Sequence, residues 1–434
     1  MRHVRDVARM ARDGLLISLG LLNAWPAAAQ DPAMTIPLGI AAGREGSGTS
    51  WLPDASPMYA VHRDAGSWEL MGHGSVFLQY LIDQDPRGQE QFGSINWLMG
   101  MARRPLAGGR FGLKTMISLE PATIGGCGYP DLLASGETCD GGSIVDEQHP
   151  HDLFMELAAQ YERALTANVA WQVYGGPAGE PALGPVAFPH RISALPNPLA
   201  PISHHWLDAT HITFGVVTGA VYGRTWKTEA SVFNGREPDE TRTDVDVAAL
   251  DSFSGRLTIV PSPALALQVS AGRLNEAEPG HDGEPAIDVT RVTASVSYHR
   301  VVETSRIWAS TVAWGRNTEE GVSTNFVLAE TSLLINDRDA WFGRVDVGNK
   351  AAHDLDVHDL DGEFTVGKLQ AGYIRYFGIG ASLRAGLGGT VTMSLVPQEL
   401  ESVYGGSMRW GGGVFLTLRP SAMWMGADPH AGHD

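Results

Sequence analysis

Thr290-Arg-Val-Thr-Ala-Ser-Val-Ser-Tyr-His299 alternates without a break between two chemistries. Its odd positions are Arg291, Thr293, Ser295, Ser297 and His299, and its even positions include Val292, Ala294, Val296 and Tyr298. Side chains of a strand alternate across the sheet, so one face of this segment wants water and the other an apolar medium. The same reading holds for Arg110–Glu120, where Phe111, Leu113, Thr115, Ile117 and Leu119 oppose Lys114, Ser118 and Glu120. It holds again for Leu250–Ile259, where Phe253, Leu257 and Ile259 oppose Ser252, Ser254, Arg256 and Thr258.

Working outward from these three, further alternating runs are expected near 68–81, 91–102, 152–163, 168–175, 211–222, 225–234, 264–273, 305–315, 323–335, 339–348, 365–377, 380–391 and 407–418. The connections between them are short, then long, then short. Tight reversals rich in Gly, Pro, Asn and Asp fall near 105–108, 166–168, 223–224, 261–263, 301–304, 336–338 and 377–379. Long connections fall at 82–90, 120–151, 176–210, 235–249, 274–289, 316–322, 349–364 and 392–406. This alternation is that of an outer-membrane β-barrel with periplasmic turns and extracellular loops. The expected fold is therefore all-β: a transmembrane antiparallel barrel of about 16 strands over residues 68–418. No other segment is apolar for the about 18 residues that a helical span needs. A soluble sandwich or propeller also alternates, but it does not account for the loop pattern. Trp51, Trp68, Trp97, Trp171, Trp226, Trp308, Trp314, Trp341 and Trp410 are candidates for interfacial girdles.

The flanks give the address. Arg2, Arg5, Arg9 and Arg12 precede the apolar run Gly14–Trp25 and the small-residue stretch Pro26–Ala29, so residues 1–29 read as a Sec-type signal peptide. The apolar run is about 12 residues, too short for a bilayer core of ~30 Å. Residues 30–67 then form an N-terminal periplasmic or lumenal segment, and 419–434 a C-terminal tail. Of 31 Lys+Arg the signal removes four, and of 49 Asp+Glu it removes Asp6 and Asp13; 27 against 47 leaves a charge of −20. A field of that sign argues against nucleic acid as a partner. Cys127 and Cys139 lie 12 positions apart in one long loop. In an oxidising compartment they read as a disulfide, contributing about 3 kcal/mol by chain entropy.

The polar side of the strands carries Glu69, Lys114, Glu120, Glu156, Glu162, Lys227, Glu229, Arg256, Arg291, Glu330, Arg344, Asp346, Lys368, Arg384 and Arg409, which are expected to line the lumen. Acidic groups lie mostly in the earlier strands and basic ones in the later, so opposed charged walls are expected across an aqueous passage. Loop 120–151, held by its disulfide, is expected to fold inward as a constriction. Three constellations offer chemistry. His149, His151 and Asp152 close one long loop, and His204, His205, Asp208 and His211 close the next, which makes the first three together with His204 and His205 a candidate Zn²⁺ or Cu²⁺ site at the outer rim. Met423, Met425, His430 and His433 add donors in the tail. Asp354, Asp356, Asp359, Asp361 and Glu363 have oxygen ligands suited to Ca²⁺ but miss the EF-hand spacing. His73, Ser75, Glu156 and His299 are the candidates for catalysis, with no G-x-S-x-G to organise them.

Gly413-Val-Phe-Leu-Thr-Leu418 resembles the last-strand signal read by the barrel assembly machinery, although 16 residues follow it. Over Gly48–Leu418 the chain resembles an uncharacterised family of exported bacterial outer-membrane barrel proteins. The stretches that carry the resemblance are Gly48-Thr-Ser-Trp51 with Pro57-Met58, His149-Pro-His-Asp152, Gly179-Glu-Pro-Ala-Leu-Gly-Pro185, Asn234-Gly-Arg-Glu-Pro-Asp239 and Phe364-Thr-Val-Gly-Lys-Leu369. The resemblance implies a Gram-negative outer-membrane location and no particular activity. From the residues, the expected function is a porin-like channel or passive transporter of small solutes, in contact with outer-membrane lipid and lipopolysaccharide, with no resident cofactor. The alternative is a surface or lumen-plugged protein for Cu or Zn handling, and an outer-membrane hydrolase is a third reading.

Overall fold

The computed structural model describes residues 35–278, 285–302, 306–357 and 359–423. The chain closes into an antiparallel barrel of 16 strands, each paired with its neighbours in sequence. They are β1 (Trp68–Asp83), β2 (Glu90–Leu106), β3 (Gly109–Ile117), β4 (Phe154–Ala164), β5 (Ala170–Ala178), β6 (Val216–Tyr222), β7 (Trp226–Phe233) and β8 (Ser252–Ser262). The circuit continues with β9 (Leu265–Glu278), β10 (Ile287–Val302), β11 (Arg306–Glu319), β12 (Val322–Ile335), β13 (Asp339–Ala351), β14 (Glu363–Ile379), β15 (Leu383–Leu395) and β16 (Met408–Pro420). Closure is made by β16 on β1, from Gly411 opposite Asp83 to Leu418 opposite Val76. A short strand, Val61–Ala65, pairs with the start of β1 below that seam. All 16 expected strands are present, and no edge is left to template another chain.

Period two organises the wall. Along β6 and β7 every second residue is buried, Thr218, Lys227, Glu229 and Ser231 among them, while Val217, Val221 and Val232 stand exposed on the other side. Exposed apolar side chains continue round the outer face as Leu257, Val269, Val296, Val312, Val327, Val345, Val391 and Leu416. Two-residue reversals at Ala107-Gly108 and Asn336-Asp337 have positive φ at both positions, the geometry that matches strand twist. The connection expected over 316–322 is a turn of this kind at Glu320-Gly321, because β11 and β12 run further than the alternation alone indicated.

The lumen is filled with protein. From the tight-turn end, residues 36–57 enter it: Ala55 N–H donates to Pro263 C=O (2.7 Å), Lys114 Nζ donates to Gly48 C=O (2.5 Å) and Lys227 Nζ to Thr49 C=O (2.6 Å). From the other end comes the segment between β5 and β6, expected to lie outside over 176–210, and it is buried almost throughout. Arg191 anchors it, donating to Asp208 (2.6 Å) in its own segment and to Glu330 (2.8 Å) on β12. Trp206 Nε1 donates to Thr324 Oγ1, Ser203 Oγ to Asp346, and Arg344 to Leu199 C=O. The two insertions meet where Ala187 N–H donates to Ser47 Oγ (2.8 Å). A hairpin, Tyr129–Cys139 with Gly142–Gln148, adds a third piece, tied by Lys368 to Asp131 (2.5 Å) and closed by the Cys127–Cys139 disulfide.

These contacts correct several expectations. The lumenal charges do not form opposed walls facing water: Arg256 pairs with Glu229 and Glu180, Arg344 with Glu330, and Glu156 accepts from Tyr174. Arg384 faces inward near the tight-turn end but is paired with Asp337 (2.7 Å), and Arg409 donates to Gly405 C=O. Glu120 lies just beyond β3, in the single helical turn Glu120–Thr123, and is fully buried. Trp51 and Trp97 are buried inside the barrel and belong to no girdle, whereas Trp226, Trp308, Trp341 and Trp410 are exposed outside. The signal peptide and the tail donors Met425, His430 and His433 lie outside the described residues.

Val312, at mid-β11, is 52% exposed on the outer face. Val312→Arg should therefore cost ~2–4 kcal/mol of folding, read as the fraction of fast-migrating, unheated band after refolding from urea; no loss would put this strand out of register by one. Arg191→Ala leaves Asp208 buried without its arginine and Glu330 with Arg344 alone, so docking of 179–215 should weaken by ~3–5 kcal/mol. The check is faster proteolysis inside that segment with the barrel band retained, and an unchanged digest would show that the ion pairs do not hold the plug.

Candidate functional site: a buried histidine cluster

Two separate chain segments deliver the cluster. His204 and His205 open the single helical turn His204–Leu207 in the β5–β6 insertion, and this turn is held against the wall by Trp206. His149 arrives on the stretch that leads from the disulfide hairpin to β4. All three are buried, and one ring nitrogen of each lies within 4.8 Å of those of the others. His149 Nε2 and His205 Nε2 are 3.3 Å apart. Two imidazole nitrogens on one tetrahedral ion with bonds of roughly 2.0–2.1 Å would also be separated by roughly 3.3 Å.

The opposite nitrogens are held by oxygen. His149 Nδ1 lies 3.2 Å from Glu137 Oε1, His204 Nδ1 2.9 Å from Asp208 Oδ1, and His205 Nδ1 2.9 Å from Glu237 Oε1. A carboxylate on Nδ1 keeps the proton there and turns the Nε2 lone pair outward, which is how metal-binding histidines are oriented. His204 Nε2 is buried and has no hydrogen-bond partner. The glycine at 136 makes room for the arrangement: with φ at +124°, its backbone lies against the His205 ring, and a Cβ there would stand 2.2 Å from it.

Electrostatics suits a neutral donor set. Burial pulls the His204 imidazole down to about 4 in spite of Asp208. Burial, with His205 and Arg242 beside it, holds His149 well below its usual range. Asp208 is also buried, which favours its neutral form, but the Arg191 guanidinium and the His204 bond outweigh this and keep its carboxyl below the usual range. Burial thus disfavours the protonated forms of His149 and His204, and the Asp208 carboxylate, held ionised by Arg191, offers negative charge beside an incoming cation.

Above the cluster, on the long-loop side, is a cavity of about 50 Å³. It is lined by Glu137, His205, Glu237, Glu278, Glu319 and Asp354, so His205 belongs to both cavity and cluster. Arg242 pairs with Glu137 on this lining, and Arg291, whose Nε is engaged by Asn317 (2.9 Å), faces Glu237, Glu278 and Glu319.

Of the five residues read from sequence as ligands at a rim, three converge, and they do so inside the barrel. His151 and Asp152 stand apart. His151 gives Nδ1 to Glu120 (2.9 Å) and stacks on Phe188, while Asp152 faces Arg242 at 3.8 Å. Nothing in the sequence marks Glu137 as a ligand-positioning carboxylate, and Glu237 stands out only as part of the run Asn234–Asp239. Among the described residues the carboxylates of 353–363 form no ligand cluster; the acidic group that does converge is Asp239, Asp244 and Asp246, largely exposed. Of the catalytic candidates, His299 meets Ser56 (Oγ to Nδ1, 2.7 Å) beside the tight turn between β8 and β9, where both are buried.

No protein-family model matches the chain, and no curated protein matches it. Among solved structures, OmpF of Salmonella typhi in complex with daunomycin aligns with a TM-score of 0.52 at 8% identity, over 83% of this chain and 100% of that one. The outer-membrane channel DcaP of Acinetobacter baumannii aligns at 0.46 with 10% identity, covering 83% and 99% of the two chains. The likeness to OmpF shows a shared fold, the closed barrel of the bacterial outer membrane.

Proposed function

We propose that this protein is an outer-membrane barrel with an occluded lumen that takes up a borderline divalent cation, Zn²⁺ or Cu²⁺, from the external face. The observation that carries the reading is the convergence of His149, His204 and His205, each backed by its own carboxylate. Imidazole suits Zn and Cu in preference to Mg or Ca. The acidic cavity above would raise the local concentration of cations, and His205, shared by cavity and cluster, would be the first donor met. On this reading the Sec-type leader, the assembly machinery and contact with lipopolysaccharide are the ordinary requirements of an outer-membrane barrel. A porin-like passage for small solutes is the second reading, favoured by the barrel's 16 strands, a number that leaves an aqueous interior when nothing fills it.

The test uses the mature chain in detergent with His430→Ala and His433→Ala, so that the tail offers no imidazole. Calorimetry should find one micromolar or tighter site for Zn²⁺ or Cu²⁺. It should vanish in His149→Ala/His204→Ala/His205→Ala, and Glu237→Gln should weaken it by about 10–100-fold. Binding no tighter than millimolar, or unchanged in the triple variant, would overturn the metal reading. High single-channel conductance in a planar bilayer together with that result would establish the porin-like one.

A further inference from the structure

The lumenal face at the tight-turn side of β1–β3 is built from sulfur. Met71 and His73 point inward from β1, Met99 and Met101 from β2, and Met116 from β3, with Met155 packed against them from the start of β4. Register stacks them: His73 is opposite Met99, Met99 opposite Met116, and Met71 opposite Met101. The short strand Val61–Ala65 sets His62 opposite Met71, and Met58 precedes it. A methionine cluster by itself is ordinary gap-filling, since the side chain adapts to irregular space.

What sets this wall apart is where its imidazoles point. His73 Nε2 lies 3.0 Å from Met99 Sδ, and His62 Nε2 lies 3.1 Å from Met58 Sδ. His62 Nδ1 is buried with no hydrogen-bond partner. A thioether is a weak acceptor, and this lumen is otherwise rich in carboxylates and carbonyls that histidines use. Two separate His–Met pairs on one wall thus forgo stronger partners. A cavity of about 80 Å³ lies against them, lined by Met58, Met71, His73, Met99, Met101 and His190 among others. Glu45, the carboxylate on that lining, is engaged by Arg103 and Arg110. The side-chain donors left on that lining are neutral: imidazole nitrogen, thioether sulfur and the Tyr59 hydroxyl.

We infer that Met58, His62, His73 and Met99 form a soft-ligand site for a monovalent thiophilic cation, Cu⁺ or Ag⁺, on the lumenal wall near the tight-turn end. Thioether and imidazole together select soft ions over Zn²⁺ or Ca²⁺, and a single positive charge needs less compensation in a buried site than a double one. With bonds of roughly 2.0 Å to nitrogen and 2.3 Å to sulfur, one tetrahedral ion separates the two donors by roughly 3.5 Å. Each observed pair therefore opens by about half an ångström, within reach of a side chain with three rotatable bonds. This site shares no ligand with the histidine cluster and does not rest on the divalent reading of that cluster.

Silver is the probe, because it needs no reductant. The mature chain carrying Met425→Leu, His430→Ala and His433→Ala is titrated with silver nitrate in chloride-free detergent buffer. One equivalent should bind at micromolar affinity or better, survive His149→Ala/His204→Ala/His205→Ala, and weaken at least tenfold in Met58→Leu/Met99→Leu, an exchange that keeps volume and costs little stability. Unchanged affinity in the leucine variant, loss in the histidine variant, or no micromolar binding at all would each overturn the site. Should the leucine variant fail to give the folded gel band, methyl-labelled methionine NMR of the otherwise intact chain decides. Silver must then shift the Met58 and Met99 methyl signals, and if neither moves the inference is wrong.

Discussion

A barrel of 16 strands encloses more space than its own inward side chains fill, and here many of those side chains are charged. In contact with water that arrangement is self-sufficient. Walled in by protein, each charge needs a partner, because an unpaired buried ion costs several kcal/mol. Arg191 meets this demand from the middle of the β5–β6 insertion, where it neutralises Glu330 on the wall and Asp208 beside it, while Arg344 takes the second oxygen of Glu330. Lys114 and Lys227 do the same from the wall inward, gripping the carbonyls of Gly48 and Thr49. The charges that would line a pore thereby become sockets, and they set where each inserted segment sits.

The histidine cluster inherits its geometry from that docking. His204 and His205 are on a helical turn too short to hold itself together; Arg191 on Asp208 and Trp206 on Thr324 supply the rigidity. His149 comes from a different insertion, and Glu237 from the loop between β7 and β8. Three connections on the same end of the barrel thus meet at one point. Orientation by carboxylates then costs little extra, since the lumen already carries acidic groups and the plug brings the matching bases.

The wall of the barrel was legible because period two survives in nearly every strand, and because tight and long connections alternate. The disulfide was legible from spacing and compartment. Which way a long loop folds was not. Residues 179–215 contain Pro, Gly, His and Ser much as an exposed loop does, and their burial follows from contacts with Glu330, Thr324, Asp346 and Ser270 on three distant strands. The histidines were identified by residue type and placed wrongly for the same reason. His151 and Asp152 share a tetrapeptide with His149, but the backbone turns between them, so that Glu120 and Arg242 claim them instead. The sulfur wall is within reach of sequence alone: inward parity on β1 and β2 selects Met71, His73, Met99 and Met101 together.

On the proposed readings the two sites differ in softness along the barrel axis, with carboxylate-backed imidazoles toward the long loops and thioethers toward the tight turns. Aromatic nitrogen donors occupy the interval. The His204 and His211 ring centres are 5.1 Å apart and those of His211 and His151 5.3 Å; deeper in, His190 lies 5.5 Å from His73, whose Nε2 already faces Met99. His211 Nε2, like His204 Nε2, is buried without a hydrogen-bond partner. In a lumen filled with protein, movement of a cation on these readings requires that each donor be released only as the next is gained. Single donors spaced by about one ring allow such exchange, whereas one deep chelating cage would trap the ion. The filled lumen and the spaced histidines are for that reason compatible features: on the proposed readings the plug occupies the space of an aqueous path, and the imidazoles offer such a cation successive donors.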